Sequence, residues 1–353
     1  MLFSDLDLTH LQVAINEFRG KKLVLWGAGR RLGSFIEAFC GDGKLLPQPY
    51  GVCDSTREVR ESELVGVRVL PFPEVRGMSP EDTVIIITAG LLELQAKVVA
   101  HELYYFPIYH CRSFEAYDYL QRNMASCDRC LELLADPLSR QIYRRRIENL
   151  LAGRLWDQSL YSANPYFGND INRRLDDSGQ LVFAGAFNGK HIERAIANNP
   201  AIRVSAFEPS TIWSSFLVEK FDDNPRITIH NRILWSENAY LDFDENAANA
   251  GLDAHVCGTG TPTSSRYQGV AIDECIDGKV SMIALDVEGS EQRALQGAVR
   301  TIARDHPRLC VCLYHTLDDY FTIPRLIHEM SGYRLRVRHH SCISVIETVL
   351  YAV

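Results

Sequence analysis

The sequence holds no apolar run approaching the ~20 residues that a helix needs to cross a bilayer, so no membrane span is expected. It also lacks an excess of basic charge. Its 37 Lys and Arg against 45 Asp and Glu leave a formal net charge of -8 and a pI near 5.8. That balance argues against an extended nucleic-acid or anionic-membrane surface, although a local basic site is not excluded. The opening Met-Leu-Phe-Ser-Asp-Leu-Asp has neither the basic nor the apolar region of a secretory signal. Ten cysteines in such a chain read as reduced thiols, and a cytoplasmic location is expected. The pair Cys127-Asp-Arg-Cys130 has no second CxxC or HxxxH to complete a four-ligand zinc site. Cys310 and Cys312, two apart on an apolar strand, are expected in one core layer.

What is present is a globular composition, 46% hydrophobic and 23% charged. A chain of 353 residues exceeds the usual single-domain size, so two domains are expected, each long enough to bury a core. A homo-oligomer is compatible with this composition.

Residues 3–19 read as an amphipathic helix, followed by a strand from Lys21 to Trp26. The strand runs into Gly27-Ala-Gly29-Arg-Arg-Leu-Gly33 and a helical pattern through Phe39. Strand, glycine turn and helix in that order open a dinucleotide-binding unit, in which glycines let backbone approach a phosphate at a helix N-terminus. Asp54, closing a strand from Tyr50 to Cys53, is placed to hold a ribose hydroxyl. The spacing is GxGxxxG, looser than the usual fingerprint, and the alternative is that these glycines only allow helix-on-sheet packing. Val67–Leu70 and Thr83–Thr88 supply further strands, with a helix over 91–103 and a short strand near 107–110. No partner for hydride chemistry stands near residues 27–54.

Residues 113–160 change to a helical pattern, with Asp136-Pro137 marking a break. They form a connector, on which Arg144, Arg145 and Arg146 are expected on a solvated face. Asn164-Pro-Tyr-Phe-Gly-Asn-Asp170 is a turn-rich loop.

A second unit begins at Gln180. Leu181-Val-Phe-Ala-Gly185-Ala186-Phe-Asn-Gly189 is a strand ending in small residues, and a helix follows. The next strand, Ile202–Phe207, ends in Glu208-Pro209. The interval from Gly189 to Glu208 is near the ~20 residues that separate a glycine loop from an acid binding ribose hydroxyls. Arg226–Leu234 is a third strand, Tyr240–Phe243 an extra one, and Asn246–Gln268 a long irregular loop. Met282-Ile-Ala-Leu285 with Val287 is an apolar run suited to a strand covered on both faces. If that strand reaches Glu288, Asp286 and Glu288 project from one face, at the carboxyl end where open α/β sheets hold ligands. The bland alternative is that Glu288 and Glu291 only favour a helix N-terminus through its dipole. A helix over Ser290–Asp305, a strand over Leu309–Tyr314 ending at His315, a helix over 322–331 and an antiparallel pair, Tyr333–His339 with Ser344–Ala352, complete the chain.

The fold class expected is α/β, two doubly wound Rossmann-like domains, over residues 1–112 and 161–353 with the connector at 113–160. The second domain's order resembles that of a class I S-adenosylmethionine-dependent methyltransferase, a mostly parallel seven-stranded sheet with one antiparallel strand. Asp286-Val-Glu288-Gly289-Ser-Glu291 with Leu295-Gln-Gly297-Ala298 resembles the DvEGaE…LrGA signature of the FkbM family of methyltransferases. Leu313-Tyr-His315 with Asp318, Asp319 and Ile323-Pro324 is similar to that family's next block, as are Tyr333–His340 and Glu347-Thr348-Val-Leu-Tyr351. The resemblance covers about 180–353; residues 1–112 look more like the nucleotide-binding-type domains attached to sugar-modifying enzymes. It implies S-adenosylmethionine as cofactor, S-adenosylhomocysteine as product, and a hydroxyl of a sugar, glycan or other small molecule as acceptor. One position departs: where such enzymes carry an acid in the first glycine loop, this chain has Phe183. That departure motivates the alternative of a non-catalytic nucleotide- or S-adenosylmethionine-binding protein with a degenerate site.

In the pocket so inferred, Gly185, Ala186 and Gly189 form the close-approach turn and Glu208 accepts both ribose hydroxyls. His230 and Asn231 are weaker candidates to flank adenine. Asp286 also lies at the cofactor. Methyl transfer needs an aligned acceptor oxygen and a base within reach of its proton. His315 is the expected base because an imidazole titrates near neutrality. Asp286 would orient it, or would join Glu288 in holding a divalent ion that acidifies the acceptor. His339 and His340 face opposite sides of a strand, so at most one reaches the site.

Overall fold

The computed structural model describes the chain except residues 1, 28–30, 55–62, 65, 89–105, 155–156, 176–177, 245–254, 257–264, 331 and 343–345. Gly29 of the first glycine motif, the helix expected over 91–103 and most of the loop expected over 246–268 lie outside the described residues. The chain divides into two units, Met1–Met124 with Ile147–Leu155, and Ala125–Arg146 with Trp156–Val353. No helix among the described residues is long and apolar enough to cross a membrane.

In the first unit a helix, Thr9–Phe18, precedes β1 (Lys22–Trp26), a helix Arg31–Phe39 and β2 (Gly51–Cys53). β3 (Glu63–Leu64) and β4 (Val67–Arg68) form a small antiparallel pair, followed by β5 (Thr83–Ile87) and β6 (Ile108–His110). The sheet order is β2-β1-β5-β6, all parallel. β5 is Thr-Val-Ile-Ile-Ile and wholly buried, as a strand covered on both faces should be. Val24, Trp26, Ile85 and Ile87 fill one side of this core together with Leu70, Val75 and Phe106.

The stretch expected as a connector is helical over Cys111–Leu133, kinked at Asn123, and over Pro137–Leu151. The three arginines expected on a solvated face do not all lie there. Arg146 is buried, and its Nε donates to the Tyr320 hydroxyl and to Thr348 Oγ1, at 3.0 and 2.8 Å. Cys127 and Cys130 are buried on one helix, the latter thiol donating to the Phe321 carbonyl at 3.2 Å.

The second unit is built on seven strands: β7 (Gln180–Ala184), β8 (Arg203–Phe207), β9 (Ile227–His230), β14 (Val280–Leu285), β15 (Arg308–Cys312), β16 (Leu335–His339) and β17 (Thr348–Ala352). Their order is β16-β17-β15-β14-β7-β8-β9, with β17 antiparallel to both neighbours and the other pairs parallel. This is the α/β arrangement the sequence order implied. Its core sets Leu181, Phe183, Met282, Ala284, Cys310 and Cys312 in one layer, so the cysteine pair does face one side. β10 (Ile233–Leu234), β11 (Ala239–Asp244), β12 (His255–Val256) and β13 (Ser265–Val270) make a separate sheet, order β10-β13-β11-β12. The strand expected over Arg226–Leu234 is therefore two, shared between sheets, and residues 265–268 of the expected loop are strand. The helix expected over Ser290–Asp305 is also two, Glu291–Gln296 and Val299–Asp305, broken at Gly297 where the Trp235 carbonyl leaves no room for a side chain.

β16 is an edge strand whose outer side is covered. The Ala135 amide donates to Leu335 O at 2.7 Å, the Ser162 amide to His339 O at 2.7 Å, and the Val337 amide to Ser139 Oγ at 2.9 Å. Arg338 adds a paired contact to Asp170, with Nη2 at 2.6 Å from Oδ2.

Candidate functional site

Four adjacent parallel strands, β8, β7, β14 and β15, end on the same edge of the large sheet and deliver the expected site residues there. Gly185 follows β7 at φ +81°, in the left-handed region. A Cβ there would stand 1.8 Å from the Asp286 carbonyl oxygen. Glycine is required because the loop after β7 and the end of β14 touch, a packing reason independent of any ligand. The Asp286 amide donates to Ala184 O, and the Gly185 amide to Phe207 O, each at 3.0 Å. Ala186 is buried beneath the turn. Gly189, at φ +76°, caps the helix Lys190–Asn198, and Leu217 and Phe221 pack where its side chain would be.

Glu208, buried just past β8, accepts the Phe187 amide on Oε2 at 2.7 Å and the Ser210 amide on Oε1 at 3.0 Å. Each oxygen is thereby held by a backbone donor. The carboxylate is aligned before any hydroxyl arrives. Asn231 does not stand free to flank a base: its amide ties the Glu208 and Pro209 carbonyls at 3.1 and 2.7 Å. The His230 ring lies against Phe207, centroids 4.5 Å apart and nearly parallel.

β14 stops at Leu285, short of the acids, so Asp286 and Glu288 do not share a face by strand alternation. A turn through Glu288 (φ +53°) and Gly289 (φ +99°) folds the second acid back instead. A glutamate held left-handed is strained, and such strain gathers at working sites. The turn sets His315 Nε2 at 3.3 Å from Asp286 Oδ1 and 3.6 Å from Glu288 Oε1. On the ring's other side, Nδ1 lies 2.7 Å from Glu291 Oε1. Glu291 is 0% exposed and also accepts the Val287 amide on Oε1 and the Gly289 amide on Oε2, at 2.9 and 3.1 Å. It does begin a helix, but its carboxylate works on this turn and on His315 rather than through a dipole alone.

Asp286 gathers two phenols that the sequence reading did not include. Tyr314 donates to Oδ1 at 2.8 Å and Tyr166 to Oδ2 at 2.9 Å. Burial works against its charge, but hydrogen bonds from His315, Tyr314 and Tyr166 and the imidazolium beside it prevail, pulling the carboxyl down to about 2. Burial likewise disfavours charge on His315, yet Glu291 and the carboxylates of Asp286 and Glu288 outweigh it and hold the imidazole well above its ordinary range. The premise that made His315 a base, titration near neutrality, therefore does not hold in this setting. Glu347, left-handed at φ +61° in the turn before β17, is pushed up to about 7 by burial and by the Asp286 charge. Tyr314 and Glu347 stood inside blocks already singled out, Leu313-Tyr-His315 and Glu347-Thr348, whereas Tyr166 lay in the turn-rich loop Asn164–Asp170 with nothing there to mark it as a site residue.

Phe183 is fully buried, its ring stacked on His191 and edge-on to Tyr166, with centroids at 5.7 and 5.2 Å. The position usually acidic has become core. His339 and His340 are both engaged away from the site, Nδ1 of the former on Thr348 Oγ1, and the latter between Ser162 O and the Tyr351 hydroxyl.

No family model and no curated protein matches the sequence. Among solved structures, the chain is similar to the methyltransferase FkbM from Methylobacillus flagellatus KT, at 20% identity and TM-score 0.62, covering 96% of this chain and 93% of that one. It also matches, more distantly, Aeropyrum pernix fibrillarin with natively bound S-adenosyl-L-methionine, at 13% identity and TM-score 0.33, covering 52% of this chain and 70% of that one. A third match is precorrin-6y C5,15-methyltransferase from Geobacter metallireducens GS-15, at 12% identity and TM-score 0.32, covering 56% of this chain and 93% of that one. The first likeness spans both units and establishes a methyltransferase-type fold.

Proposed function

We propose that the protein is an S-adenosylmethionine-dependent O-methyltransferase acting on a hydroxyl of a sugar, glycan or other small polyhydroxylated molecule. The observation that carries this reading is Glu208: a buried carboxylate fixed by two backbone amides, beside the Gly185 turn and on the same sheet edge as Asp286 and His315. Bound there, the cofactor supplies an activated methyl group on a sulfonium. Glu208 is suited to accept from the ribose diol, because a carboxylate takes two donors bidentately. Gly185 and Ala186 shape the turn beside it.

Asp286 is charged at neutral pH and oriented by two phenols, so it accepts a hydrogen bond from an acceptor hydroxyl without reorganising. Glu288 brings a second carboxylate to the same place, a set that suits a substrate rich in hydroxyl donors. His315 stands between them and serves as a proton acceptor only once its own Nε2 proton has gone. Proton removal from the acceptor adds a factor of about 10²–10⁴ to the rate in such systems, the remainder coming from alignment.

One observation favours a second reading, a binding protein without turnover: Phe183 occupies the usual acidic position and is packed into the core. Titration calorimetry with S-adenosylmethionine decides between sites that bind and sites that do not. Wild-type protein is expected to bind at micromolar to sub-millimolar cofactor and Glu208→Ala to lose at least tenfold in affinity. Absence of heat at millimolar cofactor overturns the reading. His315→Ala is expected to keep cofactor binding and lose turnover, whereas binding without any turnover in wild type sustains the second reading.

A further inference from the structure

We infer that Glu347 is the base of the methyl-transfer site, taking the proton of an acceptor hydroxyl that sits over the ends of β15 and β17. The inference rests on the methyltransferase reading and adds to it the side of Asp286 on which the acceptor stands.

The first argument is position. β17 runs antiparallel to β15, with Val349 abreast of Cys312 and the Leu313 amide donating to Thr348 O at 2.9 Å. One residue further, Glu347 comes abreast of Tyr314, whose hydroxyl donates to Asp286 Oδ1. Val349 and Tyr351 belong to the core layer of Cys310 and Cys312, and alternation along the strand brings Glu347 back to that face. Its charge bears on Cys312, Tyr314 and Tyr166 there, raising all three. Glu208, Gly185, Asp286, Tyr314 and Glu347 therefore follow one another along a single sheet edge, at the ends of β8, β7, β14, β15 and β17. A cofactor held at Glu208 and Gly185 meets Asp286 from one side, which leaves the Glu347 side to the acceptor.

The turn that carries Glu347 is fixed. Its backbone is left-handed at φ +61°, a strained conformation that the surroundings must hold. The His340 amide donates to Glu347 O at 2.8 Å, and the hydroxyl of the next residue, Thr348, meets Arg146 Nε and His339 Nδ1, each at 2.8 Å.

The second argument is that the neighbouring groups are committed. Tyr314 and Tyr166 occupy the two oxygens of Asp286, whose carboxyl lies at about 2 and is a weak base. His315 is kept protonated by Glu291, Asp286 and Glu288. Among the described residues nothing hydrogen-bonds the side-chain oxygens of Glu347, and neither is among the sealed polar atoms without a partner, so both meet open space. Four charges face this carboxyl. Asp286 and Glu288 disfavour its ionisation, while His315 and, on the helix Lys190–Asn198, Arg194 favour it; burial exceeds each of them and leaves the group at about 7. An acid poised near neutrality both takes and gives up a proton at working pH. Glu347 receives the O–H proton as the acceptor oxygen bonds the methyl carbon and the electron pair of the broken carbon–sulfur bond stays on sulfur, and it then passes that proton to water.

The test uses ligands in hand. A sulfonium beside Asp286 favours the ionised form of Glu347, whereas the thioether of S-adenosylhomocysteine carries no such charge. Titration calorimetry of the full chain at pH 7, in phosphate and in Tris, counts the protons released as each ligand binds. Wild type is expected to release up to about half a proton more with S-adenosylmethionine than with S-adenosylhomocysteine. Glu347→Gln should bind both and release equal numbers. A second readout needs no ligand. Because the fold raises Glu347 from 4.5 to about 7, wild type loses stability as pH rises through that window. Glu347→Gln should therefore match wild type in urea midpoint at pH 4 and exceed it at pH 8. Equal proton release from the two ligands in wild type, a difference that survives in Glu347→Gln, or a midpoint the substitution leaves unmoved at pH 8 overturns the assignment of Glu347 and spares the methyltransferase reading. Binding of neither ligand overturns that reading, and the assignment with it.

Discussion

Replacing Gly185 by alanine tests whether the contact between the loop after β7 and the end of β14 organises the site. Two costs can be separated. The residue sits at φ +81°, where an L-side chain costs roughly 1–2 kcal/mol. The new Cβ would also meet the Asp286 carbonyl oxygen at 1.8 Å and its carbon at 2.8 Å. Relieving that overlap means moving backbone, at about 1–3 kcal/mol or more. Gly278 provides the control: its φ is +80° and nothing lies within 4 Å of a Cβ built there. Gly278→Ala should therefore cost about 1–2 kcal/mol and Gly185→Ala about 2–5 kcal/mol. For a unit of this size the second figure corresponds to a fall in Tm of roughly 5–20 °C. Urea unfolding followed by circular dichroism reads both variants. Because Asp286 carries the displaced oxygen, Gly185→Ala should also lose turnover under conditions where it remains folded. A Gly185→Ala protein no less stable than Gly278→Ala would refute the steric argument.

The remaining predictions concern pH and thiols. His340, 9% exposed and hydrogen-bonded on both nitrogens, is pushed down to about 4 chiefly by burial. Above pH 6.5 it is neutral folded or unfolded and contributes nothing to pH dependence. Below that the unfolded chain takes a proton that the fold refuses, so stability falls between pH 6.5 and about 4, by on the order of 3 kcal/mol at most. His340→Gln should flatten the urea midpoint over that window; an unchanged slope would show that other groups set it. Of the described cysteines, Cys342 is exposed, Cys275 is half-buried, and Cys40, Cys53, Cys111, Cys127, Cys130, Cys310 and Cys312 are buried, with burial raising Cys40, Cys53 and Cys127 to about 12. Cys342→Ser should remove one equivalent from the fast phase of thiol labelling at pH 8, and an unchanged fast phase would place the reactive thiol elsewhere.

Much of the fold is legible because it rests on local pattern. Runs such as Thr-Val-Ile-Ile-Ile and Met-Ile-Ala-Leu admit few readings, and the helix–strand alternation orders them. The site is legible only in part. Asp286, Glu208 and His315 follow strand ends, so spacing finds them. The relation of Glu288 to His315 depends on a left-handed residue that no periodicity announces, and β14 ends one residue before the first acid. Tyr166 reaches Asp286 across 120 residues, and Arg146 reaches Thr348 across 202. Three consecutive arginines look like surface because local spacing cannot see the tyrosine and threonine that receive the last of them. Charge follows the same rule: an imidazole's titration depends on carboxylates that only the folded turn brings near.

The covered flank of β16 has a bearing on self-association. A sheet that ends in bare amides and carbonyls invites a strand from another molecule. Here Ala135, Ser139 and Ser162 already occupy those groups, and the Arg338–Asp170 pair lies across the same flank. An incoming copy would have to strip away its host's own backbone before adding a rung, so any dimer this protein makes has to use side-chain surfaces rather than a continuous sheet through that side.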